Sequence, residues 1–181
     1  MTEPSSAVIV IDLQTGMFDG VAEPPLHDAD GLVTRVREIL AWARRTGRKV
    51  AFVRHDGDPA DSLAPGKPGW PVWPALGQAA DEPTFSKNVG DSFSNPALGD
   101  WVRAAGVDEV ILLGAQTDMC VAATVKGALE QGLGVRVVGD AHSTVSFSQE
   151  TVPEIVARHN RQFEAAGAKV LTTAELTATE L

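Results

Sequence analysis

The sequence predicts a three-layer α/β protein in which helices cover both faces of a doubly wound, mainly parallel sheet of about six strands. Two observations predict this fold: short, continuous apolar runs recur along the chain, and segments with amphipathic helical spacing lie between them. This alternation is typical of βαβ units, because parallel strands need crossovers that also cover the sheet. The 181 residues are predicted to form a single domain over 1–181.

Five apolar runs are predicted as strands. The first, 7–11, is continuous and rich in β-branched residues, which is typical of a central strand buried on both faces. Apolar residues then recur at helical spacing from Leu32 to Ala43, which predicts a helix that ends at Gly47. The other predicted strands are 49–53, 110–113, 135–138 and 169–171, and the other predicted helices are 96–105, 118–131 and 151–166.

The segment 56–83 interrupts this alternation. It is rich in Pro, Gly and Asp, and it contains Trp70 and Trp73. Loops of this length inside a compact domain more often carry function than serve as plain connections. We therefore expect the segment to contribute to a functional site.

Composition and charge exclude several classes of function. Lys and Arg number 15 against 24 Asp and Glu, for a net charge of −9, which argues against nucleic acid or an anionic membrane as the partner. The single Cys excludes an intrachain disulfide framework and a cysteine tetrad for zinc. The polar, acidic start of the chain and the lack of any apolar stretch of roughly 18 residues predict a soluble, cytoplasmic protein without a leader.

The predicted fold indicates where a site lies, because open parallel sheets bind ligands beyond the carboxyl ends of their strands. The residues that close the predicted strands are therefore candidates: Asp12, His55, 114–120 and Asp140. A dinucleotide fold is excluded, since the first strand is followed by Asp-Leu-Gln-Thr-Gly and not by the Gly-rich turn that lets a pyrophosphate approach the backbone.

Cys120 is the candidate nucleophile. It lies where the third long apolar run passes into a helix, with Thr117 or Asp118 expected to cap that helix. A cysteine in the first turn is expected to have a lowered pKa, because the helix dipole favours the thiolate. Backbone N–H groups at such a junction can also hold an oxyanion.

A cysteine nucleophile needs a proton acceptor and a polarising partner. None of the four His residues forms an obvious motif with Cys120. Asp12 can serve as the base if neighbouring strands bring its carboxylate alongside. Lys87 ends a short β-prone stretch after the Pro-rich segment, so an inward position is open to its ammonium group.

The sequence resembles the isochorismatase-like cysteine hydrolases, a superfamily that includes nicotinamidases, N-carbamoyl-amide hydrolases, ureidoacrylate hydrolases and isochorismatases. The resemblance extends from Ala7 to about Leu176 and depends on three motifs in order. They are Val10-Ile11-Asp12-Leu13-Gln14, the Lys87 segment followed by Asp91-Ser92-Phe93, and Gly114-Ala115-Gln116-Thr117-Asp118-Met119-Cys120-Val121.

The resemblance implies an Asp12, Lys87 and Cys120 triad that hydrolyses an amide, carbamoyl or ureido C–N bond through an acyl-enzyme on the cysteine. It implies a cis peptide bond at Ala115–Gln116 and an oxyanion hole built from the backbone N–H groups of Gln116 and Cys120. It also implies a homo-oligomer, either a dimer or a tetramer, acting on a small molecule.

Four further residues are predicted to contact substrate. The resemblance implies that Phe18 and Trp70 are aromatic walls of the pocket, while Gln14 and His55 follow the ends of predicted strands. No metal and no other cofactor is expected. Nicotinamidases carry an Asp-x-His metal motif, and the corresponding segment 53–58 here reads Val-Arg-His-Asp-Gly-Asp.

Two alternatives stay open from the sequence. Within the same fold, isochorismatase-type enzymes cleave a vinyl ether by protonation, commonly without the cysteine. From a different class, Cys120 can act as a redox or peroxide-sensing thiol, which would need an external partner because the chain has no second Cys.

Overall fold

A six-stranded, all-parallel sheet forms the centre of the computed structural model, which describes residues 5–178. The strand order is β3-β2-β1-β4-β5-β6. The strands are β1 (Ser6–Ile11), β2 (Lys49–His55), β3 (Thr84–Lys87), β4 (Glu109–Ala115), β5 (Gly134–Ser143) and β6 (Lys169–Leu171). The predicted fold class is confirmed, and the β-prone stretch that ends at Lys87 is the sixth strand.

Helices cover both faces of the sheet. They are α1 (Ala29–Arg45), α2 (Pro96–Ala104), α3 (Ala122–Glu130), α4 (Val152–Ala166) and α5 (Thr173–Ala178). Alternate side chains of β1 point to opposite faces, as the period of a strand requires. Val8 and Val10 join the core that contains α1 residues, and Ile9 and Ile11 join the core that contains residues of α2, α3 and α4.

The chain reverses its direction across the sheet between β1 and β4. From β1 it proceeds outward to β2 and β3, and after α2 it returns to the other side of β1 and proceeds to β5 and β6. The carboxyl ends of β1 and β4 therefore flank a switch point, where ligands bind in folds of this kind. Residues that follow these two strands are brought side by side.

Gly114 permits the close approach of β4 to β1 at this point. Its φ of +130° lies outside the range that other residues readily adopt, and a Cβ there would lie 2.1 Å from the carbonyl oxygen of Ile11. A side chain at this position would force the two strand ends apart.

The segment 56–83 lies against the residues that follow β1. Thr15 N donates to the carbonyl oxygen of Pro71 at 2.8 Å. Gly16 N donates to the carbonyl oxygen of Gly69 at 2.9 Å. Apart from a short 3₁₀ turn at Pro74–Leu76, the segment is irregular, and these backbone bonds fix it beside the switch point.

Within the described residues, no helix is long and apolar enough to cross a membrane. The polar start of the chain, on which the expected lack of a leader depends, falls in residues 1–4, which lie outside the described part together with residues 179–181. The single domain over 1–181 and the cytoplasmic location stay predictions.

Replacing Gly114 by Ala is expected to lower the free energy of unfolding by at least about 3 kcal/mol, because the new Cβ meets the backbone of Ile11. Gly132→Ala is the matched control: Gly132 also has a positive φ, of +78°, but nothing lies within 4 Å of its added Cβ. That change should cost only about 1 kcal/mol. Urea denaturation of both variants measures the difference, and equal losses would contradict the close-approach argument.

Candidate active site

Three side chains predicted from separate motifs meet beyond the carboxyl edge of the sheet. Asp12 directly follows β1, Lys87 is the last residue of β3, and Cys120 lies in the turn between β4 and α3. The Lys87 Nζ atom lies 2.8 Å from Asp12 Oδ2 and 3.3 Å from Cys120 Sγ. A fourth group, His55 Nδ1, lies 3.2 Å from the same Nζ atom.

The sheet register explains how residues so distant in sequence converge. His55 is paired with Lys87 across β2 and β3, so both strands end at the same level. Asp12 N donates to the carbonyl oxygen of Val53 at 2.9 Å, which fixes the end of β1 against β2. Asp12 itself has a φ of +51°, a left-handed conformation that Asp tolerates better than most residues, and the chain turns there.

Charge balance at this cluster corrects the expectation of an activated resting thiol. Burial, together with the nearby negative charge of Asp12, raises the pKa of the Cys120 thiol to about 12 against the opposing charge of Lys87. Burial likewise raises the pKa of the Asp12 carboxyl, against the opposing charge of Lys87. One ammonium balances one negative charge, so Asp12 and Cys120 share a single proton between them, and the resting thiol is protonated.

Asp12 is placed to accept that proton. Its Oδ2 atom is bonded to Lys87, while its Oδ1 atom is buried and has no hydrogen-bond partner among residues 5–178. A carboxylate oxygen of Asp12 lies within 4.8 Å of Cys120 Sγ. The carboxylate of Asp12 is therefore held through one oxygen by Lys87 and lies close to the thiol of Cys120.

The turn that carries Cys120 begins without the predicted side-chain cap. Residues Thr117–Val121 form one wide π-type turn, and neither Thr117 nor Asp118 caps it. The Gln116 carbonyl oxygen accepts from the N–H groups of Met119 and Val121, at 3.1 Å each. The Ala115–Gln116 peptide bond before the turn is cis.

Both of the expected capping residues anchor the turn to β5 and the residue that follows it. Asp118 Oδ1 accepts from Thr144 Oγ1 at 2.7 Å. Thr117 Oγ1 lies 2.8 Å from His142 Nδ1. These bonds hold the cysteine turn from the side opposite Asp12, so Thr117 and Asp118 support the turn and do not cap it as predicted.

His142 is a buried, neutral link in this support. Its Nε2 atom lies 2.8 Å from Asn160 Oδ1, and Asn160 Nδ2 donates to the Gly139 carbonyl oxygen at 3.0 Å. The Asn160 oxygen is therefore the acceptor, so His142 donates from Nε2 and accepts from Thr117 at Nδ1. Burial lowers the pKa of His142 to about 4, which keeps the ring neutral.

A cavity of about 610 Å³ opens onto the cluster. Asp12 and Cys120 lie on its wall together with His55 and Gln116. The rest of the wall comes from the segments after β1, after β2 and around Cys120. These residues are Gly16, Met17, Glu23, Pro24, Asp61, Ser62, Leu63, Gly90, Asp118, Met119 and Phe147. The segment 56–83 thus contributes to the wall, as its length led us to expect.

Of the four residues predicted to contact substrate, only His55 lies on this wall. Gln14 is fully buried and holds two segments together. Its Nε2 atom donates to the carbonyl oxygens of His55 and Trp70, at 3.0 and 2.8 Å, and its Oε1 atom accepts from His55 N. Both polar atoms of the Gln14 side chain are therefore bonded to the backbone of His55 and Trp70 and are not available to a substrate.

The two side chains predicted as aromatic walls of the pocket pack against other residues. Phe18 stacks on Trp73, with ring centroids 5.2 Å apart. Trp70 has the Arg54 guanidinium 3.5 Å above its ring and donates from Nε1 to Asp56 Oδ1 at 2.8 Å. Neither Phe18 nor Trp70 is part of the cavity wall.

Several wall residues had no signal in the sequence. Glu23, Asp61 and Phe147 lie in irregular segments without a motif, and only folding brings them to the cavity. Met119 is adjacent to Cys120, but nothing in its residue type marks it as a wall residue.

The cluster contains groups of the kind that bind metal ions. Asp12, His55 and Cys120 each offer a ligand atom, and these atoms lie within 4.8 Å of one another. The Lys87 ammonium is hydrogen-bonded to all three residues and takes the position of a cation among them. The donors present therefore fit a divalent ion poorly, and the expectation of no metal stays a prediction.

Comparisons with known proteins agree on one family. The sequence model of the isochorismatase domain matches residues 6–175. Two streptothricin hydrolases from Streptomyces noursei are 36% and 37% identical over 155 and 152 residues, which is 83% and 81% of this chain. The aligned parts cover only 61% and 54% of those relatives, so the chain spans little more than half of their length.

Other relatives match over nearly their whole length. The nicotinamidase of Escherichia coli strain K12 is 27% identical over 212 residues, covering 95% of this chain and 97% of that protein. A solved structure of an isochorismatase-type hydrolase from Oleispira antarctica is 27% identical, covers 99% of both chains and superimposes with a TM-score of 0.89.

The protonated resting thiol predicts slow alkylation. The rate of Cys120 modification by iodoacetamide should keep rising with pH beyond the value near 8.5 at which a free thiol ionises, because burial and Asp12 oppose the thiolate. Asp12→Asn should shift the profile to lower pH, since it removes a negative charge and leaves Lys87 unbalanced. Asp58→Asn, an exposed change outside this cavity, should leave it in place. A wild-type midpoint at or below that of a free thiol would contradict the charge balance.

Neutral His142 predicts a loss of stability on mild acidification. Its pKa is about 4 in the folded chain against 6.5 ordinarily, so below about pH 6.5 the unfolded chain binds a proton that the folded chain does not. This group should therefore lower the free energy of unfolding by at most about 3 kcal/mol between about pH 6.5 and 4, with no further loss below. Urea unfolding of the wild type and His142→Asn across this range measures the effect, and a stability difference that does not change with pH would contradict it.

Proposed function

The chain belongs to the isochorismatase family, and we propose that it is a cysteine hydrolase that cleaves a C–N bond of a small polar amide, carbamoyl or ureido compound. Asp12, Lys87 and Cys120 are the proposed catalytic residues. The observation that carries the proposal is the position of Lys87 Nζ, which is bonded to Asp12 Oδ2 and to Cys120 Sγ, two residues that lie on the wall of one cavity.

The first half of the reaction forms a thioester. Asp12 takes the thiol proton at its free Oδ1 atom as Cys120 Sγ attacks the carbonyl carbon of the substrate. Lys87 stabilises whichever of the two groups carries the negative charge, so the proton can move without a change in the net charge of the cluster. Asp12 then returns the proton to the leaving nitrogen, the C–N bond breaks, and ammonia or an amine departs.

The second half returns the enzyme to its resting state. Asp12, again a carboxylate, takes a proton from a water molecule that attacks the thioester carbonyl. The C–S bond breaks, the acid product leaves, and the proton on Asp12 passes back to Cys120 Sγ. The raised pKa of the thiol suits this step, because a basic sulfur is readily reprotonated.

The oxyanion of each tetrahedral intermediate needs hydrogen-bond donors. We propose the backbone N–H groups of Gln116 and Cys120 for this role. Both residues lie on the cavity wall, and the wide turn between them is tied down through Thr117 and Asp118. A donor pair held in this way needs little rearrangement during the reaction.

The relatives differ in their named substrates, so none of those substrates is carried over whole. One group of relatives is named for streptothricin and another for nicotinamide, and the segment 53–58 lacks the Asp-x-His motif that the resemblance associates with nicotinamidases. A small polar amide, carbamoyl or ureido compound is the class that these relatives and the triad support together.

The charge state of Cys120 disfavours the redox alternative. Redox-sensing cysteines react as exposed thiolates, whereas this thiol is partly buried and protonated at rest. Vinyl-ether cleavage stays within the test below as an alternative outcome.

Assembly into a homo-oligomer also stays a proposal. Large apolar side chains that are more than half exposed among the described residues support it. They are Val21, Val89, Met119 and Phe147, and two of these lie on the cavity wall.

Ammonia release from a panel of small amides, carbamoyl compounds and ureido acids, including nicotinamide, tests the proposed function. Cys120→Ala should abolish release, and Asp12→Asn and Lys87→Met should each lower kcat/KM by at least about 100-fold, because each removes a proton acceptor or its charge partner. Chelators should leave the rate unchanged.

Controls separate lost chemistry from lost folding. Breaking a buried ion pair costs about 3–5 kcal/mol, so circular dichroism and urea unfolding must show that each variant is folded at the assay temperature. Near-normal rates in folded Asp12→Asn would contradict the triad. Consumption of isochorismate with no amide hydrolysed would favour ether cleavage, and activity lost to a chelator and restored by zinc would overturn the metal-free mechanism.

A further inference from the structure

The cavity wall carries an uneven distribution of charge. Besides Asp12, whose charge is balanced by Lys87, three carboxylates lie on the wall: Glu23, Asp61 and Asp118. No Lys or Arg side chain contributes to this wall within residues 5–178. A ligand in the cavity therefore meets an excess of negative charge.

None of the three carboxylates is neutralised by an ion pair with a described residue. Asp61 accepts a backbone bond from Leu63 N at 2.8 Å, and Asp118 accepts from Thr144 Oγ1, both of which are neutral donors. Arg158 acts on Asp118 only at longer range, because its guanidinium is bonded to Glu150 at 2.8 and 2.9 Å. All three carboxylates are exposed, so each is open to a ligand.

The proposed reaction centre identifies this wall as the place for the substrate. The buried Asp12 and the partly buried Cys120 both lie on the same wall. The acidic groups and the reaction centre thus belong to one cavity.

The cavity is also large enough for more than the reacting amide. About 610 Å³ falls within the range of sites that enclose a drug-sized ligand. Apolar side chains also line the cavity. They are Met17, Pro24, Leu63, Met119 and Phe147.

We propose that the substrate is a cationic amide, one whose scissile carbonyl lies at Cys120 while the carboxylates of Glu23, Asp61 and Asp118 attract its protonated amine or guanidinium group. An aliphatic spacer between these two groups would pack on the apolar wall. This inference rests on the proposed hydrolase function and adds the charge class of its substrate.

Charge selection is tested with three primary amides of matched length: hexanamide, 6-aminohexanamide and the monoamide of adipic acid. The kcat/KM for ammonia release should be about tenfold higher for 6-aminohexanamide than for hexanamide, and lowest for the anionic monoamide, since opposite charges attract and like charges repel across a site. The preference should shrink between about 0.02 M and about 0.5 M salt, because salt screens exposed charges.

Replacing each carboxylate by its amide identifies which residues cause the preference for the cationic substrate. Glu23→Gln, Asp61→Asn and Asp118→Asn should each lower the ratio of the two kcat/KM values, for 6-aminohexanamide over hexanamide, by about threefold, the usual size of one exposed charge interaction. Asn at 61 and at 118 can keep the hydrogen bonds that the native oxygens accept. Glu164→Gln is the matched control, an exposed carboxylate on α4 away from the cavity, and should leave the ratio unchanged.

Binding separates this inference from the proposed function. Calorimetry with Cys120→Ala should give a lower Kd for 6-aminohexanamide than for hexanamide, and the triple variant of the three carboxylates should remove that difference. Hydrolysis that needs Cys120 but shows no preference for the cationic amide would overturn the inference and leave the hydrolase in place. Selective binding without hydrolysis by the wild type would overturn the hydrolase and support the cationic site, and equal Kd values would overturn the cationic site.

Discussion

The ammonium group of Lys87 is the constraint on which the rest of the site depends. It is buried, it is bonded to Asp12 and Cys120, and it supplies one positive charge to two groups that can each carry a negative one. A buried charge without a partner is costly, so the cluster is stable with a single proton shared between carboxylate and thiol. Proton transfer from sulfur to oxygen then leaves the net charge unchanged, so the transfer creates no buried charge without a partner.

The fold holds this cluster from several directions. The register of β2 with β3 brings His55 and Lys87 to one level, and Gly114 allows the end of β4 to lie against Ile11. On the far side, His142 supports the cysteine turn through Thr117. His142 can do so because it is neutral, and its low pKa is a consequence of the same burial that makes the support rigid. Stability and site geometry therefore depend on the same residues.

The strand ends and the irregular segments have different roles in the proposed site. The ends of β1, β3 and β4 supply the proposed reacting groups, which must be rigid, and the irregular segments supply most of the remaining wall. Loops vary more readily than strands, so one reaction centre can serve different substrates as its wall changes. The acidic character of this wall, from Glu23, Asp61 and Asp118, is the feature that sets the proposed substrate apart from a neutral amide.

Local patterns in the sequence predicted the layers, five of the six strands and the candidate residues of the cluster, because apolar periodicity and motif order are local properties. Asp12, Lys87 and Cys120 could each be named as candidates because they follow or end apolar or β-prone runs, and the family resemblance implied that they form one triad. The charge state of Cys120 required the tertiary structure, because burial and the distance to Asp12 outweigh the helix terminus that the sequence emphasised. The composition of the cavity wall also required the tertiary structure. Phe18 and Trp70 pack against other side chains, and residues from segments without any motif line the cavity. Side-chain direction in irregular segments depends on contacts from distant parts of the chain, and no local pattern encodes it.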